Sequence, residues 1–126
     1  MKPYWQGVFP AVTTQFRKDQ SLNLDATVRH LQVLVESGVS GLIMLGSLGE
    51  NQSLSAEEKR QVIERAVKAV GRRVPVLSGV AETSTAAACH FVHDCEKLGA
   101  DGFMLMPAML YRADPRENLA HFRTVA

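Results

Sequence analysis

Charge of one sign is scarce as an excess: 14 Lys and Arg stand against 13 Asp and Glu, for a formal net charge of +1. No Lys/Arg run is long enough to form a basic patch, so nothing is present to grip a phosphate backbone, and nucleic acid is excluded as a partner. Long apolar runs are also missing. None exceeds ten residues, even with Gly and Pro counted in, whereas a membrane-spanning helix needs roughly 20. The start, Met1-Lys2-Pro3-Tyr4-Trp5, lacks the apolar core of a signal peptide. A cytoplasmic protein with no membrane partner is therefore expected. Cysteine is sparse: Cys89 and Cys95 are six residues apart on an expected helix, roughly 9 Å and too far for a disulfide. Both read as buried thiols.

What is present is alternation. Short apolar runs and segments of helical apolar spacing recur about every thirty residues along a chain of 126 residues, 46% of them apolar. Strands are expected near residues 7–13, 41–45, 74–78 and 102–106. Between them lie a helix carrying Val28, Leu31, Leu34 and Val35 and stopped by Gly38, and a second opened by Ser55 and Glu58 as a capping box. The second helix buries Val62, Ile63, Ala66, Val67 and Val70. A third runs from about Ser84 to Leu98, burying Ala88, Phe91, Val92, Cys95 and Leu98. A last helix is capped by Asp114, with Pro115 first, Glu117 third, and Leu119 and Phe122 on one face.

Four consecutive strand-helix units call for a parallel sheet. No Gly-x-Gly-x-x-Gly fingerprint follows the first strand, which favours a barrel over an open dinucleotide-binding sheet. A complete barrel takes about 250 residues. The expected class is thus α/β, with residues 1–126 as the N-terminal half of a single (β/α)8 TIM barrel domain.

In parallel α/β folds ligands meet the carboxyl ends of the strands. The second run ends in Gly46-Ser47-Leu48-Gly49-Glu50, where two glycines permit a sharp turn with successive N–H groups facing a small anion. Ser47 adds a hydroxyl, and the lack of a following Lys argues against a nucleotide P-loop. A carboxylate or phosphate oxygen is the expected guest, and an ordinary strand-to-helix turn is the plain alternative.

The stretch from Gly41 to Asn51, followed by Leu54-Ser55 and Glu58, resembles the signature of the dihydrodipicolinate synthase and N-acetylneuraminate lyase family. Gly7 to Thr14, Val74 to Val80, and Gly99 to Phe103 leading to Pro107 agree with it, so the resemblance covers the whole chain. It implies a (β/α)8 barrel, usually a homotetramer, in which a lysine forms a Schiff base with a 2-oxo acid and no metal or organic cofactor takes part. By position, Ser47 and the amide of Leu48 are implied to clamp the substrate carboxylate, with Thr14 and Gly46 lining the floor. Such a clamp turns the substrate carbonyl toward the amine, and the imine then serves as an electron sink. The family's lysine, on the sixth strand, and its proton-moving tyrosine, on the fifth, are implied beyond Ala126. No catalytic residue is expected within the chain, and alone it is expected to be inactive. Lys2, Lys18, Lys59, Lys68 and Lys97 read as surface charge.

Three departures from the family pattern narrow the reading. Leu48 replaces a hydroxyl-bearing residue. Ala108, Met109 and Leu110 follow Pro107 where pyruvate-condensing synthases place a tyrosine, with Tyr111 displaced. The loop Gly79-Val80-Ala81-Glu82-Thr83 lacks a second glycine. These positions look more like members that dehydrate or deaminate larger hydroxylated 2-oxo acids, or act on 1-pyrroline-4-hydroxy-2-carboxylate. Dihydrodipicolinate synthase itself, and a non-catalytic half-barrel that binds a carboxylate or serves in assembly, stay open as alternatives. His90 and His93 share a helix face without an evident third metal ligand. Arg72-Arg73 suits a helix C-terminus, Glu50 suits capping or local pairing, and core packing accounts for Met104 and Met106 together with Phe103 and Leu105.

Overall fold

In the computed structural model, which describes residues 5–126, three parallel strands stand side by side in chain order: β1 (Leu42–Met44), β2 (Val76–Val80) and β3 (Gly102–Leu105). Lys2 and most of the leading segment lie outside the described residues. The register aligns Ile43 with Leu77 and Leu77 with Gly102. The first apolar run joins the outer side of β1 as an irregular fourth member, with Ala11 bridged in parallel to Ile43 rather than forming a regular strand over 7–13. Its backbone shows why. Pro10 has no N–H to give a ladder, so its carbonyl accepts from Ile43 N and the next donation comes from Val12 N to Ile43 O. Val8 N turns to the Ser40 hydroxyl.

Four helices connect these segments: α1 (Leu24–Glu36), α2 (Ala56–Val70), α3 (Thr85–Leu98) and α4 (Pro115–Val125). Each begins where a side chain satisfies an otherwise unpaired amide. Asn23 accepts from Ala26 N, and Ser84 from Ala87 N. Ser55 with Glu58, and Asp114 with Glu117, form complete capping boxes. Gly71 and Gly99 end α2 and α3 in the left-handed region. The result is a run of consecutive units of a (β/α) barrel.

The core lies between the sheet and the helices. Leu42, Met44, Val76 and Val80 meet Leu31, Val62, Ile63, Ala66, Val70, Ala88, Phe91 and Cys95, and each large aliphatic side chain so buried stabilises the fold by about 1.5–3 kcal/mol. Near the N-terminal ends of the strands, Trp5 and Phe9 fill space left by missing side chains. A Cβ on Gly102 would lie 2.1 Å from the Trp5 ring, and one on Gly41 would lie 2.0 Å from Phe9.

Two expectations about burial change. Cys95 is buried but Cys89 is only half-buried, because it sits one position past the Ala88–Phe91–Cys95 stripe. Lys59 is not surface charge. It continues the apolar stripe of α2 one turn toward the N-terminus, is 6% exposed, and points its amine at Glu82.

Candidate active-site cleft

β1 ends when Leu45 enters the left-handed region at φ 55°, a conformation costly for a side chain with a Cβ. The turn that follows directs its carbonyls inward. Leu45 O accepts from Asn51 Nδ2 at 2.8 Å, Gly46 O from Asn51 N, Ser47 O from Glu50 N, and Gly49 O from the Thr14 hydroxyl at 2.7 Å. The amide N–H groups of Gly46, Ser47, Leu48 and Gly49 donate to no acceptor among the described residues. The loop thus carries a run of backbone donors that the fold itself does not use.

Close approach fixes the loop. A Cβ on Gly49 would come within 2.9 Å of Leu45 N and 3.0 Å of Val12 O, and one on Gly79 within 2.2 Å of Leu45 O. Only glycine lets the ends of β1 and β2 come this close. Gly46, by contrast, has nothing nearer than Met104 Cε at 3.8 Å.

The loop forms one wall of a cleft of about 380 Å³ at the carboxyl ends of all three strands. Gly46 and Ser47 line it; Ser47 is exposed at the tip, and Leu48, 65% exposed, projects away from the lining. Thr14, expected on the floor, does not line the cleft: its hydroxyl is turned beneath the loop to Gly49 O, so that it supports the turn from behind. The lining also carries Gln52, Glu82 and Thr83, and it is apolar at Met104, Met106, Met109 and Leu110.

Met104 and Met106 therefore correct the core-packing expectation. Strand alternation sends Phe103 and Leu105 to the helices and leaves the two methionines facing the cleft, Met104 39% exposed. Tyr111 is exposed and stands outside the cleft lining. Glu50 makes no side-chain cap; it occupies a left-handed position at φ 57° before the short 3-10 turn Asn51–Ser53. His90 and His93 are exposed on α3, and among the described residues no three His, Cys, Asp or Glu side chains cluster to hold a metal ion.

Two features of the cleft were not drawn from the sequence. Asn51 is 1% exposed and its amide nitrogen bonds both Leu45 O and Gly79 O. Lys59 and Glu82 pair at 2.7 Å, with the ammonium 5.7 Å from the centre of the Phe91 ring. Gln52 Nε2 adds a bond to Ala81 O, so side chains following β1 hold the loop that follows β2 at several points.

Fold and cleft together define a (β/α)-barrel type of chain with a loop of unused backbone donors at the carboxyl ends of its strands. The model of the dihydrodipicolinate synthetase family matches residues 4–126, and the chain belongs to that family. It is 36% identical over 97% of its length to a 4-hydroxy-tetrahydrodipicolinate synthase of Methanosphaerula palustris, and 39% identical over 96% of its length to one of Methanococcus maripaludis. YagE, a prophage protein of the dihydrodipicolinic acid synthase family from E. coli K12 solved in complex with pyruvate, superposes with a TM-score of 0.93 at 31% identity over 98% of this chain. The chain spans 43% and 42% of the two synthases and 42% of YagE. Its fold is a partial (β/α) barrel. Among the described residues, no helix is long and apolar enough to cross a membrane.

Proposed function

We propose that residues 1–126 form the N-terminal half of a single (β/α)8 barrel domain and supply the carboxylate-binding end of a lyase that acts through a lysine Schiff base on a 2-oxo acid or cyclic imine. The observation that carries this is the run of unused amides from Gly46 to Gly49 in the loop whose Gly46 and Ser47 line the cleft. The amides of Ser47 and Leu48, with the Ser47 hydroxyl, receive the substrate carboxylate, and Gly46 gives the floor. Holding the non-reacting carboxylate directs the ketone carbon toward the amine. That amine and the proton-transfer tyrosine are assigned outside residues 1–126. Amine addition and loss of water give an iminium, which withdraws electrons from the bond broken next. The pyruvate complex of YagE supports the substrate class.

Within that class we favour dehydration or deamination of a larger 2-oxo acid, or action on 1-pyrroline-4-hydroxy-2-carboxylate. Met109 and Leu110 occupy the cleft wall and Tyr111 stands outside it. The second reading, 4-hydroxy-tetrahydrodipicolinate synthase, rests on the names of the relatives. The working protein is assigned as a cytoplasmic homotetramer without metal or organic cofactor. Calorimetric titration of pyruvate into the complete protein and its Ser47→Ala variant is the test. The variant is expected to bind more weakly by about 1 kcal/mol or somewhat more, and unchanged affinity would remove Ser47 from the clamp.

A further inference from the structure

We infer that Asn51 is the positioning residue of the carboxylate clamp: its side-chain amide holds the Leu45 turn so that the Ser47 and Leu48 amides face the cleft. The inference rests on the clamp reading above and adds a residue to it. Both neighbours of the Asn51 nitrogen, Leu45 O at 2.8 Å and Gly79 O at 3.3 Å, are carbonyls that only accept. This sets the orientation of the amide, with nitrogen toward the carbonyls. Leu45 stands in the left-handed region at φ 55°, which a leucine leaves readily unless its surroundings hold it there. The bond from Asn51 falls on the carbonyl of that residue. Release of Leu45 O would let the Leu45–Gly46 peptide rotate, and the amides that follow would rotate with it.

The bond to Gly79 O ties the same turn to the end of β2, where the missing side chain of Gly79 already permits contact with Leu45 O. Asn51 thus joins two strand ends to the clamp through one amide group. No other small side chain offers this: serine and threonine carry one donor, and ionised aspartate carries none. The arrangement also has a cost. Asn51 Oδ1 is buried with no hydrogen-bond partner among the described residues. A buried acceptor left unpaired is unfavourable, so the amide is retained for its nitrogen. Thr14 acts at the other end of the loop, on Gly49 O, and leaves the Leu45 turn to Asn51.

The test is an NMR titration of pyruvate into the 15N-labelled complete protein, run in parallel on Asn51→Asp and Ser47→Ala. In the unsubstituted protein the Ser47 and Leu48 amides are expected to shift and saturate. Asn51→Asp, with its core methyl spectrum intact, is expected to bind pyruvate about tenfold more weakly and to show altered Leu45–Gly49 amide shifts before any ligand is added. Ser47→Ala should weaken binding while leaving the Leu45 and Gly46 shifts in place. Normal affinity and unchanged loop shifts in Asn51→Asp would overturn the positioning role and leave the clamp standing. Ser47 and Leu48 amides that ignore pyruvate in the unsubstituted protein would overturn the clamp, and the positioning role with it.

If Asn51→Asp does not fold, the unsubstituted protein still decides. The Asn51 side-chain NH2 protons, both donated inside the fold, should exchange slowly and move when pyruvate saturates the loop. Rapid exchange with no response to pyruvate would contradict the role.

Discussion

Lys59 Nζ lies 2.7 Å from Glu82 Oε1, joining α2 to the loop that follows β2 and closes one wall of the cleft. The two partners are unequal. The Lys59 side chain is 8% exposed and Glu82 20%, so the ammonium is the trapped charge.

Glu82→Gln is therefore expected to cost more than Lys59→Met. Glu82→Gln leaves a buried ammonium with no counter-charge, supported only by a neutral amide oxygen and the Phe91 ring, and should destabilise the fold by about 3 kcal/mol. Lys59→Met lets the carboxylate turn to cleft water and should cost about 1–2 kcal/mol. Urea unfolding of the two variants measures the order. The reverse order would show that the carboxylate is the more confined partner.

The glycines of the cleft divide into one that is required and one that is tolerant. Gly79→Ala places a methyl group 2.2 Å from Leu45 O and should destabilise by about 2–3 kcal/mol. Gly46→Ala meets only Met104 Cε at 3.8 Å and should stay within about 0.5 kcal/mol. Thermal melts of both variants check the contrast, and equal losses would contradict the close approach of the two strand ends.

The two cysteines should differ in reactivity. Burial pushes the Cys95 thiol up to about 12, against the opposing effect of a hydrogen bond with Ser78, whereas Cys89 is half-buried. A thiol reagent near neutral pH should label Cys89 first and reach Cys95 only on unfolding, as peptide mass would show. The raised value also sets a pH window. Its contribution to stability is complete below the ordinary thiol value of 9.0 and is lost as pH rises from there toward about 12. Stability that rises over that range would contradict the assignment.

Reduction with borohydride in the presence of pyruvate should leave the lysines of this chain unmodified. None of the described lysines lines the cleft, and Lys59 is engaged by Glu82. An adduct on any of them, found by peptide mass, would move the reacting amine into residues 1–126.

What was legible in the sequence was local. Ser55 with Glu58 and Asp114 with Glu117 announce their helices because a capping box closes within one turn. The glycine-rich turn after β1 was legible for the same reason. Lys59 illustrates the opposite case. Its spacing to Val62, Ile63 and Ala66 puts it on the buried stripe, but its charge reads as surface, and the carboxylate that reconciles the two stands 23 residues away. Asn51 belongs to the motif yet shows its role only when Gly79, 28 residues on, is brought beside Leu45. Met104 and Met106 alternate visibly with Phe103 and Leu105, but which face meets a cleft is decided by the neighbouring loops.

The central claim is that the unused amides of the Gly46–Gly49 turn receive the carboxylate of a 2-oxo acid. A crystal structure of the complete protein with pyruvate bound tests it most directly. The claim predicts carboxylate oxygens at hydrogen-bond distance, about 2.7–3.2 Å, from the amide nitrogens of Ser47 and Leu48. A carboxylate bound elsewhere in the cleft, with those amides left to water, would contradict it.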